Sequence, residues 1–226
     1  MDVRVYPDSE ALAQAVAEHI AASCARAVAD RGSFHWALAG GNTPKRCYAQ
    51  LRHLDMPWSR VHVYFGDERC LPRGHPDRND VMADESLLAH VGIPEEHIHR
   101  IPAELGPEQA AAIYDRLLRN SPQLDMALLG MGEDGHTASL FPGSEALLDE
   151  RLAVAVSNAP KPPPDRVSLG YAALNAAREC LIMAAGQDKQ QAFQRIRDGE
   201  QLPAGRVKPA AWFVDDGVMA RDFPTD

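Results

Sequence analysis

The chain has 226 residues, 45% of them hydrophobic, which allows one substantial core. Its formal net charge of −9 argues against nucleic acid or an anionic membrane surface as a partner, because either would need a dominant basic face. The first residues show no evident secretory-signal pattern, and no apolar run approaches the ~20 residues of a membrane span. The four cysteines form no Cys-x-x-Cys pair, so we expect a cytoplasmic protein with reduced thiols.

Short apolar runs separated by helical patterns predict strands and helices that alternate along the chain. The first helix is predicted to be capped by Asp8 or Ser9 and to continue to about residue 30. The predicted strands are residues 3–6, 33–39, 61–65, 124–129, 152–156, 181–185 and 211–214. The later predicted helices are residues 45–54, 81–90, 107–119, 171–178 and 189–198. This alternation favours an α/β fold with a mostly parallel sheet, in one domain over residues 1–226.

A glycine turn follows the second predicted strand. It is formed by Gly40, Gly41, Asn42 and Thr43, and a proline then opens the next helix. Free backbone N–H groups in such a turn, together with the dipole of the following helix, favour a bound anion such as phosphate. An ordinary tight turn is the alternative that a Gly-Gly pair leaves open. The spacing matches neither a Walker loop nor a dinucleotide fingerprint, so no nucleotide is predicted.

Charged residues gather after the third predicted strand. Asp67, Glu68 and Arg69 are typical of a salt-bridged surface turn, although they also lie where a ligand could bind. The loop that follows, residues 72–80, is rich in glycine and proline and could lie across a pocket. His97 and His99 have no third ligand nearby, so we predict no metal and no organic cofactor.

The run from residue 124 to 129 opens into a glycine-rich turn that carries the best candidates for chemistry. Asp134, His136, Thr137 and Ser139 follow the glycines, at the edge where open α/β sheets hold their ligands. His136 is the leading candidate for a catalytic base, and a hydrogen-bonded structural histidine is the alternative. Ser139 lies in no Gly-x-Ser-x-Gly elbow, so a nucleophilic serine is not favoured.

Two basic residues mark the C-terminal part of the chain. Residues 158–166 form a stiff proline-rich stretch that resembles a linker, but the later strands complete the same sheet and a separate domain of about sixty residues would have a marginal core. Arg166 ends that stretch. Lys189 lies near the N-terminus of a predicted helix, where its charge opposes the dipole and a bound anion would explain it.

Four stretches resemble the 6-phosphogluconolactonases, relatives of the glucosamine-6-phosphate deaminases, and they occur in the right order. They are residues 40–44, residues 67–69 with 75–79, residues 130–143 and residues 166–175. The resemblance implies a Rossmann-like three-layer sandwich without nucleotide, and hydrolysis of 6-phosphogluconolactone in the oxidative pentose phosphate pathway. The implied phosphate ligands are Gly40, Gly41, Asn42, Thr43, Arg166 and Lys189; the implied sugar-facing residues are Asp67 and Asn79. His136 is the implied base; we expect Asp67 or Asp134 to orient it and Arg69 to stabilise the oxyanion.

The resemblance also separates the lactonases from the deaminases. The deaminases carry a glutamate five residues after the histidine and an aromatic residue after the Asp-Glu pair, where this chain has Phe141 and Arg69. Arg78 replaces a usual serine, and residues 168–172 depart from the family pattern, which affects the expected sugar contacts. We therefore expect a small sugar phosphate as substrate and a monomer or small homo-oligomer. A sugar-phosphate sensing module is a weaker alternative, because no basic helix-turn-helix segment is evident.

Overall fold

Nine strands and seven α-helices occur in residues 1–208 and 210–219, the part of the chain that the computed structural model describes. The strands are β1 (Asp2–Tyr6), β2 (Phe34–Leu38), β3 (Val61–Phe65), β4 (Asp67–Arg69), β5 (Met126–Gly130), β6 (Ala153–Val156), β7 (Arg166–Leu169), β8 (Glu179–Ala184) and β9 (Ala211–Asp215). The helices are α1 (Ser9–Arg31), α2 (Asn42–Leu51), α3 (Asn79–Ser86), α4 (Pro107–Arg119), α5 (Tyr171–Ala176), α6 (Gln190–Arg197) and α7 (Asp216–Met219). Each predicted strand and helix is present; β3 and α4 have the predicted bounds, and the other predicted elements have shifted ends.

Six strands form one sheet in the order β1-β9-β8-β5-β2-β3, and every neighbouring pair is parallel. All five residues of β2 are buried, as are the last five of β8, because helices cover the sheet. Strands covered on both faces read as continuous apolar runs, which is why the sequence predicted them. The expected α/β fold with a mostly parallel sheet is confirmed.

A second sheet of three antiparallel strands, in the order β4-β7-β6, was not predicted. The charged cluster of residues 67–69 forms a strand of this sheet and not the surface turn that its composition favoured. The proline-rich stretch joins β6 to β7, which pair with each other, so it is a hairpin connection. It connects two paired strands of one sheet and is not a linker between domains.

Two buried tyrosines fix the ends of the strands that lead to the site. The Tyr48 hydroxyl donates to the Ala39 carbonyl at 2.7 Å and accepts from the Ala39 N–H at 2.9 Å. The Tyr114 hydroxyl makes the same pair of bonds with Phe65, at 3.2 and 2.9 Å. Because both side chains are fully buried, the backbone just before the glycine turn and just before β4 has little freedom.

No helix within residues 1–208 and 210–219 has the length and apolar character to cross a bilayer. The same residues contain no group of three or more His, Cys, Asp or Glu side chains placed to hold a metal ion. His97 stacks on His62 with ring centroids 3.8 Å apart, and His99 lies at 5.8 Å from the same ring. The prediction of one domain over residues 1–226 extends to residues 209 and 220–226, which lie outside the described part, and it stays a prediction.

Candidate active site

A cavity of about 500 Å³ opens where β2, β3, β5 and β8 end. Parallel strands bring their carboxyl ends to one edge of the sheet, where ligands bind in folds of this kind. β8, β5 and β2 are neighbouring inner strands at this edge. Ten of the predicted site residues line it: Gly40, Gly41, Asn42, Thr43, Asp67, Arg69, Asn79, His136, Arg166 and Lys189. The remaining predicted residue, Asp134, contacts the cavity only through its hydrogen bond to His136.

His136 and Asp134 form a hydrogen-bonded pair after β5. Nδ1 of His136 bonds Oδ1 of Asp134, and the same oxygen accepts the His136 backbone N–H at 3.1 Å. A carboxylate can only accept, so Nδ1 carries the proton and Nε2 keeps its lone pair. Burial lowers the pKa of His136, although Asp134 acts in the opposite direction. Burial acts to raise the pKa of Asp134, but hydrogen bonds from His136 outweigh it and leave that pKa below its ordinary value. The pair is therefore a neutral imidazole beside a carboxylate.

The imidazole of His136 lies directly over Gly132. A methyl group built on Gly132 would meet Cε1 and Nδ1 of His136 at 2.0 Å, so only glycine fits there. On another side the ring packs against Phe141, with centroids 4.5 Å apart. Phe141 is 1% exposed, so the ring is held between backbone and a buried aromatic side chain. This enclosure accounts for the burial that lowers the pKa of His136.

Gly132→Ala is expected to push the imidazole away from Asp134 and lower kcat by about a hundredfold, the scale of loss for a misplacement of ~1 Å. Gly92→Ala is the matched control, because a methyl group there meets nothing within 4 Å. Steady-state kinetics and the near-ultraviolet circular dichroism of both variants should be compared. Unchanged kcat in a folded Gly132→Ala protein would contradict the close packing.

Asp67 is held from two sides at the other wall of the cavity. Oδ1 of Asp67 accepts from Nδ2 of Asn79 at 3.0 Å, and Oδ2 accepts from Oγ of Ser139 at 2.5 Å. Asn79 also donates to the Asp67 carbonyl at 2.8 Å and lies against Gly40, where a methyl group would meet its Oδ1 at 2.1 Å. Ser139 is fully buried and bonded, as is Thr137, so the hydroxyls near His136 are structural. Of the two carboxylates predicted to orient His136, it is Asp134 that contacts it.

Two arginines lie beside Asp67. Nη1 of Arg69 donates to the Asp77 carbonyl at 2.5 Å. Nε of Arg69 is buried and has no hydrogen-bond partner in the described part of the chain. Burial lowers the pKa of Arg166, Asp67 acts to raise it and Arg69 to lower it, which places the three charges near one another. The guanidinium of Arg166 also lies 5.5 Å from the centre of the Phe141 ring.

Arg166 holds the hairpin connection as well as lining the cavity. Its Nε donates to the carbonyl of Pro163 at 3.1 Å, and its Nη2 donates to those of Lys161 and Pro162 at 3.0 and 3.1 Å. Two nitrogens of Arg166, Nε and Nη2, therefore already donate to the backbone of the segment that carries Lys161. Arg166 positions this loop, a role that the sequence did not predict.

Lys161 is a cavity residue that the sequence reasoning missed. Nζ of Lys161 lies 2.5 Å from Oε1 of Glu133, and Nζ of Lys189 lies 3.5 Å from Oε2 of the same carboxylate. Lys189 also pairs with Asp188 at 2.7 Å. Four cations of the described residues thus line the cavity of a protein whose net charge is −9: Arg69, Lys161, Arg166 and Lys189. The available signal was that Lys161 lies in the same proline-rich stretch as Arg166, a predicted phosphate ligand.

The glycine turn lies against the same cavity. Helix α2 begins at Asn42, three residues before the predicted start, so Asn42 and Thr43 belong to its first turn. Among the residues that the structure describes, no side chain caps this end, and the first turn contains no acidic residue. Backbone N–H groups at an uncapped helix N-terminus favour an anion. The arrangement can therefore hold a phosphate close to the cations of the cavity.

A sequence model of the glucosamine-6-phosphate isomerases/6-phosphogluconolactonase family matches residues 7–215. The chain belongs to this family. It is 36% identical to the 6-phosphogluconolactonase of Nostoc sp. over 96% of this chain and 97% of that protein. It is 39% identical to that of Synechocystis sp. over 84% of this chain and 85% of that protein. The crystal structure of 6-phosphogluconolactonase from Thermotoga maritima matches with a TM-score of 0.89 at 30% identity, covering 95% of this chain and 99% of that one.

The departures expected from the family pattern lie outside the cavity lining. Arg78 is 2% exposed and bonds Asp80, Glu104 and two backbone carbonyls. Within residues 168–172, Oγ of Ser168 accepts from the Ser139 N–H at 3.2 Å, and the Tyr171 hydroxyl donates to a carbonyl at 3.1 Å. These side chains support elements of the fold, and none of them lines the cavity.

Proposed function

We propose that this chain hydrolyses 6-phospho-D-glucono-1,5-lactone to 6-phosphogluconate, a carboxylic ester hydrolysis in the oxidative pentose phosphate pathway. The observation that carries the proposal is His136, which is hydrogen-bonded to Asp134 and lines a cavity that, in the described part of the chain, also has four cationic side chains. The chain also belongs to a family in which its relatives from Nostoc and Synechocystis are 6-phosphogluconolactonases. A basic imidazole can take a proton from an attacking water, and the cations can bind the phosphate of a phosphorylated substrate.

The first step is attack of water on the lactone carbonyl. Nε2 of His136 takes a proton from the water as its oxygen bonds to the carbonyl carbon, and Asp134 stabilises the imidazolium that forms. The carbonyl oxygen becomes an oxyanion. When this intermediate collapses, the bond between the carbonyl carbon and the ring oxygen breaks, and the imidazolium returns its proton to that oxygen. The products are a carboxylate, a released proton and the opened chain with a free hydroxyl.

Arg69 is proposed to stabilise the oxyanion. Its backbone lies in β4, and Nη1 is anchored on the Asp77 carbonyl, which restricts the side chain. A fixed cation aimed at developing charge costs little reorganisation at the moment of reaction. Asp67 and Asn79 lie on the same wall and are proposed to bind sugar hydroxyls, because an amide and a carboxylate together offer donors and acceptors.

The phosphate is proposed to bind between the glycine turn, Arg166 and Lys189. Arg166→Ala should weaken substrate binding by about ten- to a hundredfold, because a buried charge-assisted contact is worth about 1.5–3 kcal/mol. The loss should affect KM for the phosphorylated lactone far more than for gluconolactone, which lacks the phosphate. Arg116→Ala, which removes an exposed arginine outside the cavity, is the control. An equal loss with both lactones would mean that Arg166 only shapes the loop.

A deaminase activity is disfavoured by Phe141. Ring opening of an amino sugar needs an acid–base relay, and the residue that packs on His136 at 4.5 Å is a phenyl ring. A lactone is already an activated ester and needs only one base. No observation in the described part of the chain favours a sensing role over hydrolysis.

The deciding experiment is a lactonase assay with glucosamine 6-phosphate as the rival substrate. Spontaneous lactone hydrolysis must be subtracted, and the assay should be repeated with a chelator. We expect turnover of the lactone only, at the same rate with and without the chelator. Turnover of the amino sugar alone, or loss of activity on chelation, would refute the proposal. We expect a cytoplasmic monomer or small homo-oligomer, to be checked by fractionation and light scattering.

A further inference from the structure

Three segments of the chain bring charged side chains together on the cavity wall. Glu133 lies in the turn after β5, Lys161 in the connection between β6 and β7, and Lys189 after β8, and all three line the cavity. The Glu133 carboxylate bridges the two ammonium groups, at 2.5 Å from Nζ of Lys161 and 3.5 Å from Nζ of Lys189. One oxygen faces each lysine, so the carboxylate has the position that a bound anion would take.

The Glu133 carboxylate is charged and half exposed. A hydrogen bond from Lys161 lowers the pKa of Glu133 to about 2, so the group is ionised at any pH at which the enzyme would work. Its side chain is 52% exposed, compared with 20% for Lys189. Glu133 can therefore turn into water at little cost, whereas Lys189 stays in the cavity wall. Lysine ammonium groups are point charges with three donors each, and they accept a new oxygen ligand without a fixed geometry.

We infer that Lys161 and Lys189 form an anion subsite which the Glu133 carboxylate occupies in the free protein, and that the phosphate of the ligand displaces it. The inference rests on the proposed function for its choice of phosphate. Lys161 then becomes a phosphate ligand, and Glu133 becomes an internal competitor that sets the affinity for phosphate. Arg166 supports the subsite indirectly, since its Nη2 holds the Lys161 carbonyl at 3.0 Å.

An internal carboxylate also selects among anions. A phosphate monoester carries a charge of about −1.5 to −2 near neutral pH, so it binds two ammonium groups better than the single charge that it replaces. A singly charged anion such as acetate gains nothing by the exchange. Glu133 should therefore reject monoanions from the subsite while it admits phosphate, which matches the chemistry of a phosphorylated sugar.

The test measures binding of inorganic phosphate by calorimetry at fixed ionic strength and pH 7.5. Glu133→Gln should bind phosphate about two- to fivefold more tightly, because one exposed ion pair of ordinary strength no longer has to be broken. Its preference for phosphate over acetate should fall. The matched control is Glu96→Gln, which removes the same charge from an exposed position outside the cavity and should leave the affinity unchanged.

Lys161→Gln separates direct pairing from a general charge effect. Alone, it should weaken phosphate binding about two- to fivefold, and it should reduce the gain from Glu133→Gln when the two are combined. The inference would be overturned by unchanged or weaker binding in Glu133→Gln, or by an equal gain in Glu96→Gln. It would also be overturned by a gain that keeps its full size without Lys161, or by a wild-type protein that binds no phosphate. Because the readout is phosphate and not the lactone, a failure of the proposed hydrolysis would be seen separately in the lactonase assay.

Discussion

Replacement of His136 by alanine should lower kcat by about 10²–10⁴-fold and leave KM within a few-fold, the ordinary effect of losing a general base. The residue contributes a proton acceptor in the transition state, whereas the phosphate ligands hold the ground state. The loss should be measured with 6-phosphogluconolactone after subtraction of spontaneous hydrolysis. His53→Ala, at an exposed position outside the cavity, should keep wild-type kinetics. A folded His136→Ala protein with near-wild-type kcat would remove His136 from the mechanism and make Asp67 the next base to test.

The same residue sets the pH dependence of the reaction. Burial lowers the pKa of His136 from its ordinary 6.5, so the neutral, active form predominates at pH 7. Activity should be flat above that pKa and fall as the pH drops through it and the imidazole takes a proton. Asp134 acts to raise this pKa, so Asp134→Asn should move the acid limb to lower pH as well as reduce kcat. A limb that stays in place or moves upward would show that another group titrates.

The main sheet could be predicted largely because its inner strands are buried on both faces. β2 and β8 are covered by helices, and burial of that kind demands apolar residues in sequence. β4 could not be predicted, since its three residues are all charged. Glu68 is nevertheless 1% exposed, because three backbone N–H groups donate to its carboxylate and Arg78 lies beside it. The sequence alone does not show that these hydrogen-bond donors and this counter-charge will lie next to Glu68 in the fold.

The cavity was predictable to the extent that parallel strands end at a common edge. The predicted residues after β2, β3, β5 and β8 meet there, because these four strands are parallel and end at the same edge. Lys161 was missed because it is placed by an antiparallel hairpin, whose path over the cavity depends on β4 pairing with β7. Glu133 stood within the predicted turn, but its partners come from two other segments of the chain.

The largest expected effect on stability comes from Arg78, behind the wall that carries Asp67. Nε and Nη2 of Arg78 bond the two oxygens of Asp80 at 2.9 and 2.8 Å, and Nε lies 3.8 Å from Oε2 of Glu68. Nη1 reaches Glu104 at 3.2 Å. Arg78→Met keeps much of the volume but leaves two buried carboxylates without their counter-charge. Loss of one partner from a buried ion pair costs about 3–5 kcal/mol of unfolding free energy, measurable by urea denaturation.

The pH dependence of that loss distinguishes charge from packing in the Arg78 network. Burial raises the pKa of Glu68 to about 7, with Asp80 acting in the same direction, whereas the unfolded value is near the ordinary 4.5. A carboxyl group with a raised folded-state pKa loses its contribution to stability as the pH rises from the unfolded value to the folded one. Without Arg78 the pKa of Glu68 should rise further, so Arg78→Met should be more destabilising at pH 8 than at pH 5.

The control is Arg100→Met, which breaks two ion pairs of an arginine that is 30% exposed and should cost about 1 kcal/mol or less. A loss in Arg78→Met that is equally large at both pH values would mean that its packing, and not its charge, stabilises the wall behind Asp67.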